Sequence, residues 1–231
     1  MQAVILAAGR GERMRPLTDK TPKPMLRLAD KPILDYAFQN LPAEINEVIL
    51  VVGYKQEQIR DYFGQRFLGR RIKYIDCPEI LGTGGALHRA KDILQERFLV
   101  LMGDDLYFRP DLEKCLQHPW SFLAKEFLGD QHRRVGKIEI TPGGFFKNIT
   151  GPKTVKKKEK RLVGCGAYVL NFSFFGYPLV KLTKSSEFGL PQTLARAAAD
   201  LPIKIVLAKK WFPTCQPADL PEAEKFILEY K

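Results

Sequence analysis

The sequence predicts an α/β fold: a doubly wound, mostly parallel sheet in the first half, with an antiparallel extension in the second. Three observations carry that prediction. Apolar runs of strand length alternate with amphipathic segments through the first hundred residues or so, as in successive βαβ units. Two of the runs, 48–52 and 98–102, are apolar without interruption, which fits strands covered on both faces. Beyond residue 135 the pattern shifts to strand-like runs separated by glycine, proline and lysine, which suits antiparallel pairing. The predicted architecture is Rossmann-like.

The elements follow in order. AVILA (3–7) is the first strand, then a loop over 8–20 and an amphipathic helix over 32–41. EVILVVG (47–53) and KQEQIRDYFGQRF (55–67) make the next strand and helix. RIKYID (71–76), TGGALHRAKDIL (83–94) and RFLVLMGDD (97–105) read as strand, helix and strand. VGKIEI (135–140), GGFFKNI (143–149) and LVGCGAYVLN (162–171) are the expected antiparallel strands. PQTLARAAAD (191–200) reads as a helix with proline in its first turn, and PIKIVLA (202–208) as a strand. DLPEAEKFILEY (219–230) is a closing helix with Asp219 as its expected cap. No repeat, long linker or low-complexity segment divides the 231 residues, so one domain over 1–231 is expected.

Bulk composition narrows the function classes. A hydrophobic content of 45% supports one sizeable core, and no apolar run is long enough to span a bilayer. MQAVILAAG has neither a basic n-region nor a cleavage pattern, so a cytoplasmic location without membrane association is expected. Cys77, Cys115, Cys165 and Cys215 show no metal-ligand spacing and read as reduced structural thiols. The net charge of +11 favours anionic partners. The densest basic run, KTVKKKEKR (153–161), reads as a solvated hairpin or loop. Aromatic residues are not interleaved with the basic ones, so no nucleic-acid partner is expected.

The loop after the first strand carries the chemistry. Ligands of open parallel sheets bind where loops leave the strands' carboxyl ends. Gly9 and Gly11 let backbone amides approach an anion closely. Arg13 and Arg15 add forked donors suited to phosphate oxygens. Pro16, Pro22 and Pro24 stiffen the backbone around Lys23. Together they describe a preorganised polyphosphate cradle. Further on, LGTGGAL (81–87) is a glycine-rich turn opening a helix, a place for a flat base or sugar against backbone. LVLMGDDL (99–106) ends a buried strand in two carboxylates, hard oxygen ligands of the kind Mg²⁺ needs beside phosphates.

Taken whole, LAAGRGERMRPLTDKTPKPML (6–26) closely resembles the signature of the sugar-1-phosphate nucleotidyltransferases, G-x-G-x-R-x-x-P-L-T followed by P-K-P. Gly9, Gly11, Arg13, Pro16, Leu17, Thr18 and Pro22–Lys23–Pro24 match it, and the chain is similar in length to short single-domain members. The resemblance implies a nucleotide-binding half over 1–110 and a sugar-phosphate-binding half over 111–231, the latter holding the antiparallel extension. It implies two small-molecule substrates, a nucleoside triphosphate and a sugar 1-phosphate, joined with Mg²⁺ into an NDP-sugar and pyrophosphate. Arg13 and Lys23 would be catalytic, binding the nucleotide with Leu6, Ala7, Ala8, Gly9, Gly11, Gly82 and Thr83. Gly84, Asp104, Gly166 and Glu187 would contact the second substrate, and Asp104 would also bind the metal. The sugar phosphate would meet Lys153, with Lys147 and the run after Lys153 as alternatives.

Two departures stand out. Gly164 lies where an asparagine often contacts the sugar, and Pro213, in WFPTCQPADL (211–220), lies where the family has a second metal-binding aspartate. Three readings of Pro213 are open. Asp105 serves instead, or Asp104 works with phosphate oxygens and water, the favoured reading, or the chain is a catalytically silent binder. Guanine and uracil are slightly preferred as the base, and the sugar and oligomeric state are left open.

Overall fold

A computed structural model describes residues 1–128, 136–151, 160–183 and 185–228. The two uninterrupted apolar runs lie at the centre of the sheet. β1 (Gln2–Ala7) pairs in parallel with β4 (Glu47–Val52) on one side and with β7 (Arg97–Met102) on the other. Between β1 and β4 the chain forms a small hairpin, β2 (Arg27–Leu28) with β3 (Lys31–Pro32), and the helix α1 (Ile33–Gln39). α2 (Gln56–Phe63) and β5 (Arg66–Phe67) lead to β6 (Arg70–Asp76), which pairs in parallel with β4. α3 (Gly82–Arg89) then crosses back to β7.

Side chains alternate across these strands. Ala3, Ile5, Val48, Leu50, Leu99 and Leu101 join α1 and α2 in one core layer. Val4, Ile49, Val51, Phe98 and Val100 face the opposite layer with α3. That two-sided burial is why the runs carry no polar alternation. The expected doubly wound architecture is present.

After β7 come β8 (Asp105–Tyr107), α4 (Arg109–Leu116) and β9 (Ser121–Leu128), none of which the sequence patterning resolves. β10 (Lys137–Ile140) and β11 (Phe146–Thr150) form a hairpin. β12 (Lys160–Asn171) is the longest strand and joins the two halves. Its residues 167–171 run antiparallel to β7, while residues 162–163 pair with β10. Its other edge pairs with β9, and the register shifts between Gly164 and Tyr168. Gly166 sits in that irregularity at φ 66° with no room for a side chain, because a Cβ would lie 2.6 Å from Met102 Cγ. α5 (Leu190–Ala197) covers the second layer, and β13 (Lys204–Leu207) pairs in parallel with β9. The pairings leave β1, β4, β6, β7, β9, β10 and β13 pointing one way, against β5, β11 and β12.

β14 (Trp211–Pro213) pairs with β8 outside the main sheet, and α6 (Leu220–Leu228) closes the described chain. Asp219 does not cap α6 as expected. Its carboxylate reaches back to accept from the Cys215 and Gln216 amides at 2.6 and 2.9 Å, closing a capping box around the turn at Pro217–Asp219. Helix lengths are also shorter than their patterns suggest, α2 ending at Phe63 and α3 at Arg89.

Candidate active site

The carboxyl ends of β1 and β7, the start of α3 and the crossing of β12 surround a cavity of about 630 Å³. The loop after β1 forms one end. It is folded rather than slack, with one-turn helices at Glu12–Met14, Leu17–Asp19 and Lys23–Met25. Gly11, at φ 64°, lies beneath Lys23, and a Cβ there would sit 2.8 Å from Lys23 Cβ. Thr18 Oγ1 donates to Gly11 O at 2.9 Å, and the Tyr54 hydroxyl donates to Thr18 O at 3.0 Å. Met14, fully buried against Leu28, Ile33 and Leu106, anchors the loop to a third apolar cluster. These ties fix the Lys23 stem, whose side chain is only 9% exposed.

Lys23 Nζ forms an ion pair and hydrogen bond with Asp104 Oδ2. Burial works to lower the lysine's pKa, but the charge and hydrogen bond of Asp104, together with Asp105 and Cys215, turn the net shift upward. The ammonium is therefore a fixed positive charge. Arg13 lines the same end and is exposed. Arg15 does not join it. Its guanidinium pairs with Asp19 at 3.4 Å, and Arg10 contributes to the wall instead.

Asp105 turns inward from Asp104. It is buried, accepts from Trp211 Nε1 at 3.1 Å, and stands opposite Pro213 in the β8–β14 pair. Burial first, then the neighbouring Asp104, raises its pKa well above the usual carboxylate range. The Tyr107 hydroxyl accepts from Met102 N at 3.1 Å and donates to Gly166 O at 3.3 Å, tying the end of β7 to the β12 irregularity.

The wall across from the cradle begins α3. Gly82 and Thr83 line the cavity with Glu79, Ile80 and Leu81. This wall is joined to residues 187–190. Phe188 N donates to Leu81 O, and Gly84 N to Phe188 O, each at 2.8 Å, while Leu190 N donates to Thr83 Oγ1 at 3.0 Å. A Cβ at Gly82 would lie 2.8 Å from Glu187 Cβ.

The Nucleotidyl transferase family profile matches residues 2–125, more than half of the chain. The chain belongs to the nucleotidyl transferase family. Among relatives of the chain, D-glycero-alpha-D-manno-heptose 1-phosphate guanylyltransferase of Campylobacter jejuni is 44% identical over 177 residues, 76% of this chain and 78% of the relative. The bifunctional protein GlmU of Methanocaldococcus jannaschii is 34% identical over 233 residues, 99% of this chain and 55% of the relative. The chain thus spans about half the length of that relative. A solved UDP-glucose pyrophosphorylase complexed with UDP-glucose shares the fold, with a TM-score of 0.82 over 100% of this chain and 99% of that one, at 21% identity. The family read from residues 6–26 is borne out.

The cavity brings together Leu6, Ala7, Ala8, Gly9, Gly11, Arg13, Lys23, Gly82, Thr83, Asp104, Gly166 and Glu187 from the sequence-predicted set. Gly84, expected as a substrate contact, is not among the residues that line the cavity. It is buried behind the wall, and a Cβ there would lie 3.1 Å from Phe188 O, so its smallness serves helix packing. Lys153 lies outside the described residues. Wall residues that patterning missed include Cys77, Phe122, Ile149, Trp211 and Cys215, which are scattered apolar or thiol side chains with no spacing signal. Among the described residues no three His, Cys, Asp or Glu side chains gather to hold a metal. Asp104 is the carboxylate at the cradle's rim, and Pro213 offers no side-chain oxygen. Among the described residues, no helix is long and apolar enough to cross a membrane.

Proposed function

We propose that the chain transfers a nucleoside monophosphate from a nucleoside triphosphate to a sugar 1-phosphate, giving an NDP-sugar and pyrophosphate. The observation that carries this reading is the cradle: Gly9, Gly11, Arg13 and the buried Lys23 on one wall, with Asp104 at its edge. The sugar phosphate oxygen, already anionic, bonds to the α-phosphorus as the bond to the bridging oxygen of the departing pyrophosphate breaks, so no base is needed. What the chain must do is hold two polyanions together and stabilise charge on the α-phosphate and the leaving group. Lys23 and Arg13 are suited to that. Names of relatives, a heptose 1-phosphate guanylyltransferase and a UTP–glucose-1-phosphate uridylyltransferase among them, support the reaction class with guanine or uracil as the base.

The donor set fits a magnesium ion held mainly by substrate phosphates and water, with Asp104 as the chain's own ligand. A protein-built cage does not fit, because Pro213 lacks an oxygen, Asp105 is buried against Trp211 while Asp104 is the more exposed of the two, and among the described residues no three ligating side chains gather. Magnesium bound there would neutralise phosphate charge. Lys147 is exposed on β11, and Glu187 lies on the cavity wall, where it would accept hydrogen bonds from acceptor hydroxyls. The same Pro213 motivates a second reading, a silent binder of nucleotides or NDP-sugars.

A matrix of nucleoside triphosphates against sugar 1-phosphates, scored by pyrophosphate release with magnesium present, separates the two. At least one pair is expected to turn over. Nucleotide binding with no release from any pair would favour the silent binder.

A further inference from the structure

Resting on the transfer reading and its magnesium site, we propose that Thr214 is a positioning residue. Its hydroxyl clamps the backbone of Asp104 and so sets where the chain's own metal-side carboxylate stands. Thr214 Oγ1 donates to Asp104 O, and Thr214 is wholly buried. It does not line the cavity, so it acts through Asp104 rather than on a ligand.

Asp104 lies in the two-residue link between β7 and β8, where strand pairing does not hold the chain. One side of the link is fixed by β1. Gly103 N donates to Leu6 O at 2.9 Å, and a Cβ at Gly103 would lie 3.1 Å from both Leu6 O and Ala7 Cβ. The other side is fixed from residues 211–214. Trp211 Nε1 donates to Asp105 Oδ2 at 3.1 Å, and the Thr214 hydroxyl takes the carbonyl of Asp104. Two side-chain donors from one short segment thus hold two consecutive residues.

Pro213 explains why a side chain has that task. It stands opposite Asp105 in the last pair of the β8–β14 ladder, and its nitrogen carries no hydrogen to donate. The Thr214 hydroxyl supplies a donor one residue further on. The threonine is braced from behind, because the amides of Cys215 and Gln216 both donate to Asp219 Oδ2. The Asp104 side chain is 31% exposed, and among the described residues no cage of three ligating side chains corrects its aim. Its direction therefore depends on its backbone, which is what Thr214 holds. A buried hydroxyl on a carbonyl also stabilises a fold wherever it occurs, so the test reads metal affinity as well as folding.

Thr214→Val removes the donor at nearly constant shape, and Thr214→Ser keeps it. Water-proton relaxation with Mn²⁺ and GTP or UTP, without acceptor, reads the metal–nucleotide complex held by the protein and needs no turnover. Thr214→Val is expected to weaken that complex about tenfold or more, while Thr214→Ser stays within about threefold of wild type. Nucleotide binding in EDTA should be the same in all three. In an Asp104→Asn background, Thr214→Val should add less than about threefold, because the contact acts through that carboxylate. In pyrophosphate release, the Mg²⁺ concentration for half-maximal rate should rise in Thr214→Val with acceptor KM unchanged.

Equal Mn²⁺–nucleotide affinity in folded Thr214→Val and wild type overturns the inference, whatever the urea midpoints show. So does the full loss persisting in the Asp104→Asn background, a Thr214→Ser as weak as Thr214→Val, or no Mn²⁺–nucleotide complex with the wild type. If Thr214→Val lacks native circular dichroism, Thr214→Ala is read in its place. Failure of both to fold overturns the inference, because the hydroxyl then holds the fold itself. Selective loss of Mn²⁺–nucleotide binding in Thr214→Val, with no pyrophosphate release from any substrate pair, would sink the transfer reading and support this one. Turnover with unchanged Mn²⁺–nucleotide affinity would do the reverse.

Discussion

Lys23 shows how much of the site depends on one side chain being kept still. Gly11 lies under its stem, neighbouring prolines restrict its backbone, and Asp104 holds its charge. Lys23→Ala should keep a native far-UV spectrum yet lose on the order of 10²–10³ in kcat. Turnover within tenfold of wild type would remove lysine from the catalytic role proposed for it. Glu47 is a purely structural counterpart at the other end of β4. Gln2 Nε2 donates to it at 2.6 Å, and that bond, against the effect of burial and with help from Lys73 and Arg71, holds its carboxyl below the usual range. A depressed folded-state pKa stabilises the protein above the unfolded value, near 4.3, and that contribution fades as pH falls through the folded value. Glu47→Gln should therefore cost about 1–2 kcal/mol near neutrality, a deficit that shrinks below about pH 4. Urea melts of both proteins across pH 3–7 would show it, and a deficit independent of pH would refute the charge argument.

At the scale of elements, β14 is the piece most dependent on a distant support. Asp111 on α4, wholly buried, accepts from the amides of Lys209 at 2.7 Å and Lys210 at 3.1 Å, which sets the turn that presents Trp211 and Pro213. Asp111→Ala should destabilise by on the order of 2–3 kcal/mol, since two part-buried amides lose a charged acceptor. A loss under about 0.5 kcal/mol in urea unfolding would mean the turn is held by other contacts. This tether also marks where sequence legibility ends. β1, β4 and β7 were readable because burial on both faces writes an uninterrupted apolar run. β9 was not, since SFLAKEFL passes from wholly buried residues to alternating ones as its outer half emerges. β8 and β14 are three residues each, too short for any period to register. In the site, the cradle was legible because consecutive residues build it. The Trp211–Asp105 bond joins positions 106 apart and leaves no local trace. Asp219 misled because an aspartate before a helix can cap forward or brace the turn behind it, with the same sequence either way.

For the whole molecule, the net charge of +11 acts on encounter more than on the bound state. The KM for the nucleoside triphosphate should rise several-fold as added salt goes from about 20 to 300 mM, while kcat changes less, because screening weakens long-range attraction before it touches the buried Lys23. A KM flat across that range would show the charge to be distributed away from the cavity mouth. The hydrogen bonds that join residues 81–84 to 187–190 have a different kind of consequence. They make the start of α3 and the start of α5 one mechanical piece, although the first faces the proposed nucleotide side and the second the proposed acceptor side. Anyone redesigning the site would find that the two preferences cannot be traded separately. A loop transplanted at 79–86 from a donor of different base choice has to bring its own 187–191 with it, or the graft arrives without its other half.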